Sequence, residues 1–376
     1  HLRGNHLFAN AKALVFAGLF FDGPEAETWI KKGMRILALE VPEQILSDGG
    51  QFERSTMYHA LALEDMLDLC NVTTAFADAV PPYWRTTVED WYRCIGPMRD
   101  WLTAMCHPDG EISLFNDAAF GIAPAPVELQ RYVDDLGLVT TSGVPMGVIH
   151  LAQSGYVRVA QDEMVALLDV APIGPDYLPG HAHADTLSFE LSVFGQRVLV
   201  NSGTSCYGLS PERLRQRETA AHNTVVVDEQ NSSEVWSGFR VARRARPLGL
   251  EIVREGGVNV VCSHDGYCRL SGQPMHRRQW LFEAASLVVE DSVSGNFGHA
   301  EARFHLHPKV ILEVLDDGAT GRLGLENDRW LTWCVEMGEL VIEESTYHPC
   351  FGISEPSRCL VLHLQDGGSR IQFDWA

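Results

Sequence analysis

Apolar residues recur every three or four positions through most of the first 120 residues, which is the spacing of amphipathic α-helices. The pattern predicts four helices, over residues 6–21, 24–45, 56–69 and 87–105. Pro24 suits the first turn of its helix, and Thr87 suits an N-cap. This half of the chain is therefore predicted to form helical hairpins, as in a bundle, a solenoid or a toroid.

From about Ser142 the apolar spacing shortens to two, which is typical of β-strands. Short β-rich runs bounded by Gly, Asn and Pro begin at Gly147, Gly155, Met164, Gln196 and Asn223, and continue through 287–294, 302–307 and 359–364. Dense short strands without intervening helices predict an antiparallel β-sandwich. Pro124 and Pro126 mark residues 121–141 as a linker, so we expect an α+β multidomain chain divided into 1–120, 121–141 and 142–376.

The segment 180–193 has the most informative pattern in the chain. His181, His183 and Asp185 alternate with alanines, and apolar residues follow with the same period at Leu187, Phe189, Leu191 and Val193. A single β-strand through this segment would direct all of these side chains to one face. Imidazoles and a carboxylate directed toward a core must be hydrogen-bonded, paired or bound to a metal. The segment is therefore predicted to be a functional site.

The net charge of −21 argues against a nucleic acid or an anionic membrane as the partner. It leaves an anionic substrate open, because a local arginine cluster can dominate the charge of a cleft. The chain has such a cluster, which could equally be a solvated basic face, at Arg240, Arg243, Arg244 and Arg246. No apolar run is long enough to span a membrane.

The nine cysteines include no CxxC pair, and their odd number does not fit a disulfide framework. We interpret most of them as small buried apolar residues. The chain begins at His1 within a helical pattern and without a methionine or a signal peptide, so we expect further sequence upstream.

Two other places carry candidate chemistry. Asn5 and His6 open the first predicted helix, where Asn5 could also serve as a cap. Tyr58 lies early in the third helix and would alone be read as a core aromatic. His222 is predicted to open a further strand.

Alternatives from other enzyme classes remain open. His183, Asp185 and His222 fit the 2-His-1-carboxylate triad of a non-haem iron oxygenase, although this would leave the helical region unexplained. Glu53 with the Asn116-Asp117 pair could supply glycosidase carboxylates, although loop capping explains Asp117 equally well.

Five motifs together resemble the heparinase II/III group of polysaccharide lyases, which includes related alginate lyases. They are NH at 5–6, FERSTMYH at 52–59, GHAHAD at 180–185, NSGT at 201–204 and AHNTVVVD at 221–228. The resemblance covers residue 1 to about residue 310. It implies an α/α toroid followed by an antiparallel β-sandwich. The family has further helices before the Asn-His motif, so it also implies that residues 1–120 are a partial toroid whose partner is the N-terminal remainder.

The resemblance implies β-elimination across a glycosidic bond to a uronic acid, in an anionic polysaccharide such as alginate, a glycosaminoglycan or an exopolysaccharide. Asn5 and His181 match positions that face the substrate carboxylate, Tyr58 matches the base or acid, and His6 matches a second base. We add Arg54 and Arg240 as substrate-binding residues. Members of the family are commonly exported, so the resemblance also implies a periplasmic or secreted protein.

The resemblance also implies a structural zinc ion and no organic cofactor. His183 and His222 match two of the zinc ligands, and the third position corresponds to Asn201, which brings no charge. Asp185 could take its place. Because Asn201 departs from the family's charged ligand, the chain could also be a non-catalytic glycan-binding protein with a degenerate site.

Overall fold

The computed structural model describes residues 3–138, 146–315 and 318–375. The first of these ranges is helical, as the apolar spacing predicts. Its five helices are α1 (Asn5–Phe20), α2 (Pro24–Gln44), α3 (Thr56–Ala75), α4 (Arg85–Ala104) and α5 (Pro126–Asp135). Within the described residues, no helix is both long and apolar enough to cross a bilayer.

Helices α1 and α2 form a closely packed hairpin. Glycines make the close approach possible: a Cβ atom on Gly18 would lie 2.6 Å from the backbone nitrogen of Ile30, and one on Gly33 would lie 2.8 Å from the carbonyl oxygen of Ala11. Both distances are shorter than any ordinary contact, so a larger residue at either position would separate the helices.

The helix ends confirm some sequence predictions and correct others. Pro24 occupies the first turn of α2. Helix α4 begins at Arg85, so Thr87 lies inside its first turn and is not an N-cap. Asn5 is the first helical residue after the N-cap Gly4, and no side chain caps α1. The Asn5 amide is therefore not used as a helix cap.

The segment predicted as a linker contains α5. Leu129 and Val133 of this helix are buried in the helical core. A short amphipathic helix with Pro126 at its start was hidden by the two prolines, which suggested a loop. The last linker residues, 139–141, and the start of the predicted sandwich at 142 lie outside the described residues. The division into domains stays a prediction.

The rest of the described chain consists mainly of antiparallel strands, which confirms the α+β fold class. The strands are β1 (Gly147–Leu151), β2 (Tyr156–Gln161), β3 (Met164–Asp169), β4 (Phe189–Val193), β5 (Gln196–Leu199), β6 (Val225–Val227), β7 (Val235–Trp236), β8 (Arg240–Val241), β9 (Pro247–Val253), β10 (Val258–His264), β11 (Met275–Glu283), β12 (Ser286–Ser294), β13 (Ala300–His305), β14 (Ile311–Val314), β15 (Thr320–Gly324), β16 (Trp330–Met337), β17 (Glu339–Tyr347), β18 (Glu355–His363) and β19 (Gly368–Trp375). A short helix, α6 (Pro211–Arg217), interrupts them.

The strands form sheets that share one core. The orders are β1-β2-β3-β4-β5 in one sheet, β14-β15-β16-β19-β12-β11-β10-β9 in a second and β17-β18-β13-β6 in a third. Phe189, Trp280, Phe304 and Phe373 are completely buried between them. A smaller cluster, which includes Trp101 of α4 and residues of β2 and β3, joins the helical region to the first sheet. This junction positions the candidate site.

The prediction of one strand through 181–193 was wrong for its first half. β4 begins only at Phe189, and residues 181–185 form turns that precede it. Leu187 has a φ of 64°, which breaks the extended backbone and ends the period-two pattern there. His222 likewise follows a short 3₁₀ helix and precedes β6, so it does not open the strand. His181, His183 and His222 therefore lie on turns outside the strands. Their side chains do not share the single face that one strand would impose.

Candidate active site

A cavity of about 720 Å³ lies where the starts of α1 and α3 meet the turn before β4 and the segment around β8. Its lining includes Asn5, His6, Tyr58, His181 and Arg240. These five predicted residues come from distant parts of the sequence. The structure therefore brings together in one hollow all but one of the predicted catalytic and substrate-binding positions.

Tyr58 and His181 form the centre of this cavity. Their rings are stacked, with 3.9 Å between the centroids and 11° between the planes. The Tyr58 hydroxyl lies 3.0 Å from the hydroxyl of Tyr207 and hydrogen-bonds to it. Burial raises the pKa of Tyr58 to about 12, and the Arg213 guanidinium acts in the opposite direction. The phenol is thus protonated at neutral pH.

Glu53 fixes the orientation of His181. Its carboxylate is buried and lies 2.5 Å from Nδ1 of His181. With Nδ1–H donated to this carboxylate, Nε2 is the nitrogen of His181 that remains for a ligand. The glycosidase hypothesis had given Glu53 a partner in Asp117. Asp117 is instead buried in contacts with His183 and Arg213, so the two carboxylates do not form the pair that this alternative requires.

The backbone at Gly4 positions Asn5 and His6 on the rim. Gly4 has a φ of 93°, and a Cβ atom there would lie 2.4 Å from Leu178 Cδ2. Only glycine fits this close approach without strain. The Asn5 side chain accepts a hydrogen bond from the backbone N–H of His6, which leaves its NH₂ group to donate to a ligand.

The two predicted substrate-binding arginines differ in position. Arg240 lines the cavity, and its guanidinium has no ion-pair partner among residues 3–138, 146–315 and 318–375. Arg54 does not line the cavity, which corrects the prediction for it. Its Nε–H donates to the carbonyl oxygen of Ser154, and its backbone has a φ of 61°, which turns the side chain toward the β1–β2 connection.

His183, Asp185 and His222 form a second cluster, which is buried next to the cavity wall. One potential ligand atom from each lies within 4.8 Å of the others. Nε2 of His183 lies 2.8 Å from Asp117, and Nδ1 of His183 has no hydrogen-bond partner among the described residues. Nε2 of His222 is similarly without a partner in that part of the chain.

Asn201 lies behind His222 and is not directed at the cluster as a ligand. Its Oδ1 is 3.1 Å from Nδ1 of His222, so it accepts Nδ1–H and leaves a lone pair on Nε2. Asn201 therefore does not belong to this cluster of potential ligands, and Asp185, the alternative that the sequence analysis gave, takes the third position. Two buried imidazole lone pairs and one carboxylate fit a divalent zinc or iron ion.

Sequence reasoning missed Tyr207. It lies in the loop between β5 and α6, where no apolar spacing or motif distinguishes it in the sequence. In the structure the Arg213 guanidinium lies 5.0 Å from the centre of its ring. Phe239 packs edge-on against it. The Tyr207 and Phe239 rings together give the cavity an aromatic wall.

Comparison with known proteins gives the family. Residues 144–376 match the profile described as "Heparinase II/III-like, C-terminal", and residues 1–126 match "Heparinase II/III N-terminus". The chain belongs to the heparinase II/III-like family. This confirms the resemblance drawn from the five motifs.

The curated relatives of this chain are distant in sequence. A heparin-sulfate lyase of Bacteroides stercoris is 25% identical over 338 residues, which cover 84% of this chain and 47% of that protein. FtsZ-localized protein C of Caulobacter vibrioides is 26% identical over 334 residues, covering 82% and 54%. The chain thus spans about half the length of the curated relatives it matches.

Solved structures share the fold. The "Heparinase III-BT4657 gene product" has a TM-score of 0.79 at 20% identity, and the match covers 100% of this chain and 60% of that one. Heparan sulfate lyase HepC from Pedobacter heparinus has a TM-score of 0.75 at 18% identity, with 100% and 60% covered. At these identities the likeness describes the architecture.

Proposed function

We propose that this chain carries the active site of a polysaccharide lyase that cleaves an anionic, uronic-acid-containing polysaccharide by β-elimination. The observation that supports this most directly is the stacking of Tyr58 on His181 in a cavity that Asn5 also lines. A proton next to a carboxylate is weakly acidic, because its removal adds charge beside an existing negative charge. Elimination therefore requires groups that bind the carboxylate, take the C5 proton and protonate O4.

In this proposal Asn5 and His181 bind the uronate carboxylate. The Asn5 NH₂ group donates to one carboxylate oxygen, and Nε2 of His181 faces the other. The buried Glu53 carboxylate lies 2.5 Å from Nδ1 and orients the ring so that Nε2 is directed to the substrate. Hydrogen bonds to the carboxylate stabilise the enolate-like charge that develops when the C5 proton leaves.

Tyr58 exchanges the protons. As a phenolate it takes the C5 proton, the C4–O4 bond breaks, a C4=C5 double bond forms, and the resulting phenol protonates the departing O4. A hydrogen bond from Tyr207 stabilises the phenolate, which offsets part of the rise in the Tyr58 pKa caused by burial. His6, exposed on the rim, is the proposed base for substrates whose C5 proton leaves from the other face.

The cavity's charge supports an anionic substrate despite the net charge of −21. Arg3, Arg240 and Arg244 line it, and Arg3 and Arg244 are partly neutralised by Glu40 and Asp176. The relatives named heparin-sulfate lyases make a glycosaminoglycan the first polymer to test. Alginate and bacterial exopolysaccharides carry the same uronate chemistry.

We propose that His183, Asp185 and His222 hold a structural zinc ion. The two partnerless imidazole nitrogens support this, because buried polar atoms without a partner are costly. When bound, the ion would fasten the turn at 183–185 to the segment at 222. His181 lies two residues from His183, so the turn that presents it to the substrate would be held in place.

Two other functions receive less support. An iron oxygenase would need substrate access to the three donors, but none of them lines the cavity. A non-catalytic role is raised by the relative named FtsZ-localized protein C, yet the complete set of Asn5, Tyr58 and His181 favours catalysis.

Location and assembly are also proposals. A periplasmic or extracellular site of action fits a polymer too large to cross a membrane, and fractionation of the producing cells would test it. The exposed aromatic rings of Phe20, Phe21 and Trp29 at the end of the α1–α2 hairpin support contact with further toroid helices.

The experiment that tests the function incubates the purified chain with a panel of heparan sulfate, chondroitin, alginate and glucuronan. We expect ultraviolet absorbance from unsaturated uronate to rise with at least one polymer. Tyr58→Phe should remove the signal, and His150→Ala, a substitution on the exposed face of β1, should leave it unchanged. Absence of the signal with every polymer, or full activity in Tyr58→Phe, would contradict the proposal.

A further inference from the structure

A second group of metal-binding side chains lies on the four-stranded sheet, away from the cavity. His299 precedes β13 by one residue, Glu301 is the second residue of β13, and His363 ends β18. Glu301 and His363 are directly paired across the two antiparallel strands. Because side chains two residues apart in an extended strand share a face, His299 and Glu301 both extend toward His363.

The three donor atoms are as close as the ligands of one metal ion. His299 Nε2 lies 3.2 Å from His363 Nδ1 and 3.3 Å from Glu301 Oε2, and the third side of the triangle is 3.9 Å. In a tetrahedral zinc site with bonds of about 2.0–2.2 Å, neighbouring ligand atoms are roughly 3.3–3.6 Å apart. A single ion can therefore contact all three atoms with little movement of the side chains.

The surrounding contacts hold two of these donors in place. The Arg303 Nε–H donates to Glu301 Oε1 at 2.7 Å, so Oε2 is the oxygen left for the triangle. The Asp228 carboxylate accepts the backbone N–H groups of Gly298 and His299 at 2.7 and 2.8 Å. Residues that hydrogen-bond to metal-ligating side chains in this way orient them and increase the affinity for the metal.

We propose that His299, Glu301 and His363 form a binding site for a transition-metal dication of the zinc type. Two imidazole nitrogens and one carboxylate oxygen select Zn²⁺, Ni²⁺ or Cu²⁺ over Mg²⁺ and Ca²⁺, which prefer oxygen ligands. Glu339 of β17 pairs with His363 in register and can supply a fourth ligand, or water can. The site is partly exposed, with 48% of the His299 side chain accessible, so an ion can enter from solvent.

A bound ion would fasten the turn before β13 to the end of β18. This site is separate from the buried group of His183, Asp185 and His222, and the inference does not rest on lyase activity. Its presence would give the chain two independent metal sites, one buried and one accessible.

The experiment measures Zn²⁺ bound by the chelator-treated full chain after equilibrium dialysis. We expect His363→Ala and His299→Ala each to bind about one equivalent less than the unaltered chain. His150→Ala is the matched control, because it removes an exposed strand histidine outside the triangle and should change nothing. All four proteins keep the buried site, so their difference reports the surface site alone.

A second readout replaces Zn²⁺ with Cu²⁺. The electron paramagnetic resonance spectrum is recorded when one equivalent of Cu²⁺ is bound at the surface site. The unaltered chain should show coupling to two imidazole nitrogens, and His299→Ala should show coupling to one. Circular dichroism establishes that the variants are folded. Equal Zn²⁺ stoichiometry in the unaltered chain and in folded His363→Ala would overturn the proposal and leave a hydrogen-bonded cluster only.

Discussion

Tyr58 of helix α3 and His181 of the turn before β4 lie face to face, with their ring centroids 3.9 Å apart. The two residues are separated by 123 positions in the sequence, and each is held by a different partner. Tyr207 hydrogen-bonds to the phenol, and Glu53 contacts the imidazole. In the proposed mechanism the pair places a proton-transfer group directly against a carboxylate-binding group, which is the arrangement that β-elimination requires.

The hydrogen bond between Tyr207 and Tyr58 leads to a prediction about pH. Tyr207→Phe removes the donor that stabilises the Tyr58 phenolate, so the pKa of Tyr58 should rise further. We expect kcat to fall roughly tenfold and the alkaline-rising limb of the kcat profile to move to higher pH. Tyr177→Phe is the control, because Tyr177 lines the same cavity but bonds to Glu43. An unchanged pH profile in Tyr207→Phe would show that Tyr207 serves packing alone.

Arg240 should contribute to substrate binding and little to the chemical step. Replacing it with Gln removes a positive charge that faces the cavity without an ion-pair partner among the described residues. We expect KM to rise about five- to tenfold with kcat nearly unchanged, and the dependence of KM on salt to become shallower. Arg254→Gln, on an exposed loop, is the matched charge control. A proportionate loss of kcat would instead place Arg240 in the transition state.

The buried cluster of His183, Asp185 and His222 leads to a prediction that distinguishes a metal ligand, Asp185, from a supporting residue, Asn201. Asp185→Asn should abolish retention of zinc, because it removes the negatively charged donor. Asn201→Ala should weaken zinc binding by about 10- to 100-fold without abolishing it, because Asn201 only orients His222. Metal content after dialysis against a graded series of chelators measures both. Equal loss in the two variants would make Asn201 a direct ligand.

His59 should make the fold sensitive to acid. Its ring bridges the Gln51 N–H and the Met98 carbonyl oxygen in the helical core, and burial lowers its pKa from 6.5 to about 4. Between these values the unfolded chain binds more protons than the folded chain, so stability falls as pH falls through this window. Between pH 6.5 and about pH 5, protonation linked to His59 alone should lower the free energy of unfolding by about 2 kcal/mol.

Urea unfolding of the unaltered chain and of His59→Gln at several pH values measures this effect. Gln can accept from Gln51 and donate to Met98, so the variant keeps both contacts but does not titrate. The loss of unfolding free energy between pH 6.5 and pH 5 should be smaller in His59→Gln by about 2 kcal/mol. Identical losses in the two proteins would refute the assignment to His59.

The sequence predicted the architecture well because its helical and β-rich patterns differ clearly. Helix α2 has the three- and four-residue apolar spacing of a helix with one buried face, whereas strand β3 is a short apolar run whose residues are all buried. It also predicted which residues meet in the cavity, because the motifs of Asn5, Tyr58 and His181 are those of one family. The positions of these side chains relative to each other became visible only in three dimensions.

The errors have specific physical causes. The turn at 181–185 was taken for a strand because alternation continues through it, and nothing in the sequence indicates the positive φ of Leu187. Asn201 was considered as a ligand because it corresponds to a ligand position in the family, and the sequence does not show that its Oδ1 contacts Nδ1 of His222. Arg54 was placed in the cavity because its neighbours face it, while its own strained backbone turns it toward Ser154.

The measurement that tests the central claim most directly is the mass of the products formed from a defined uronate oligosaccharide. Elimination should give two fragments whose masses sum to that of the substrate, with an unsaturated uronate at the new non-reducing end. The Tyr58→Phe variant should give neither fragment. Fragments whose masses together exceed that of the substrate by one water would show hydrolysis and contradict the account.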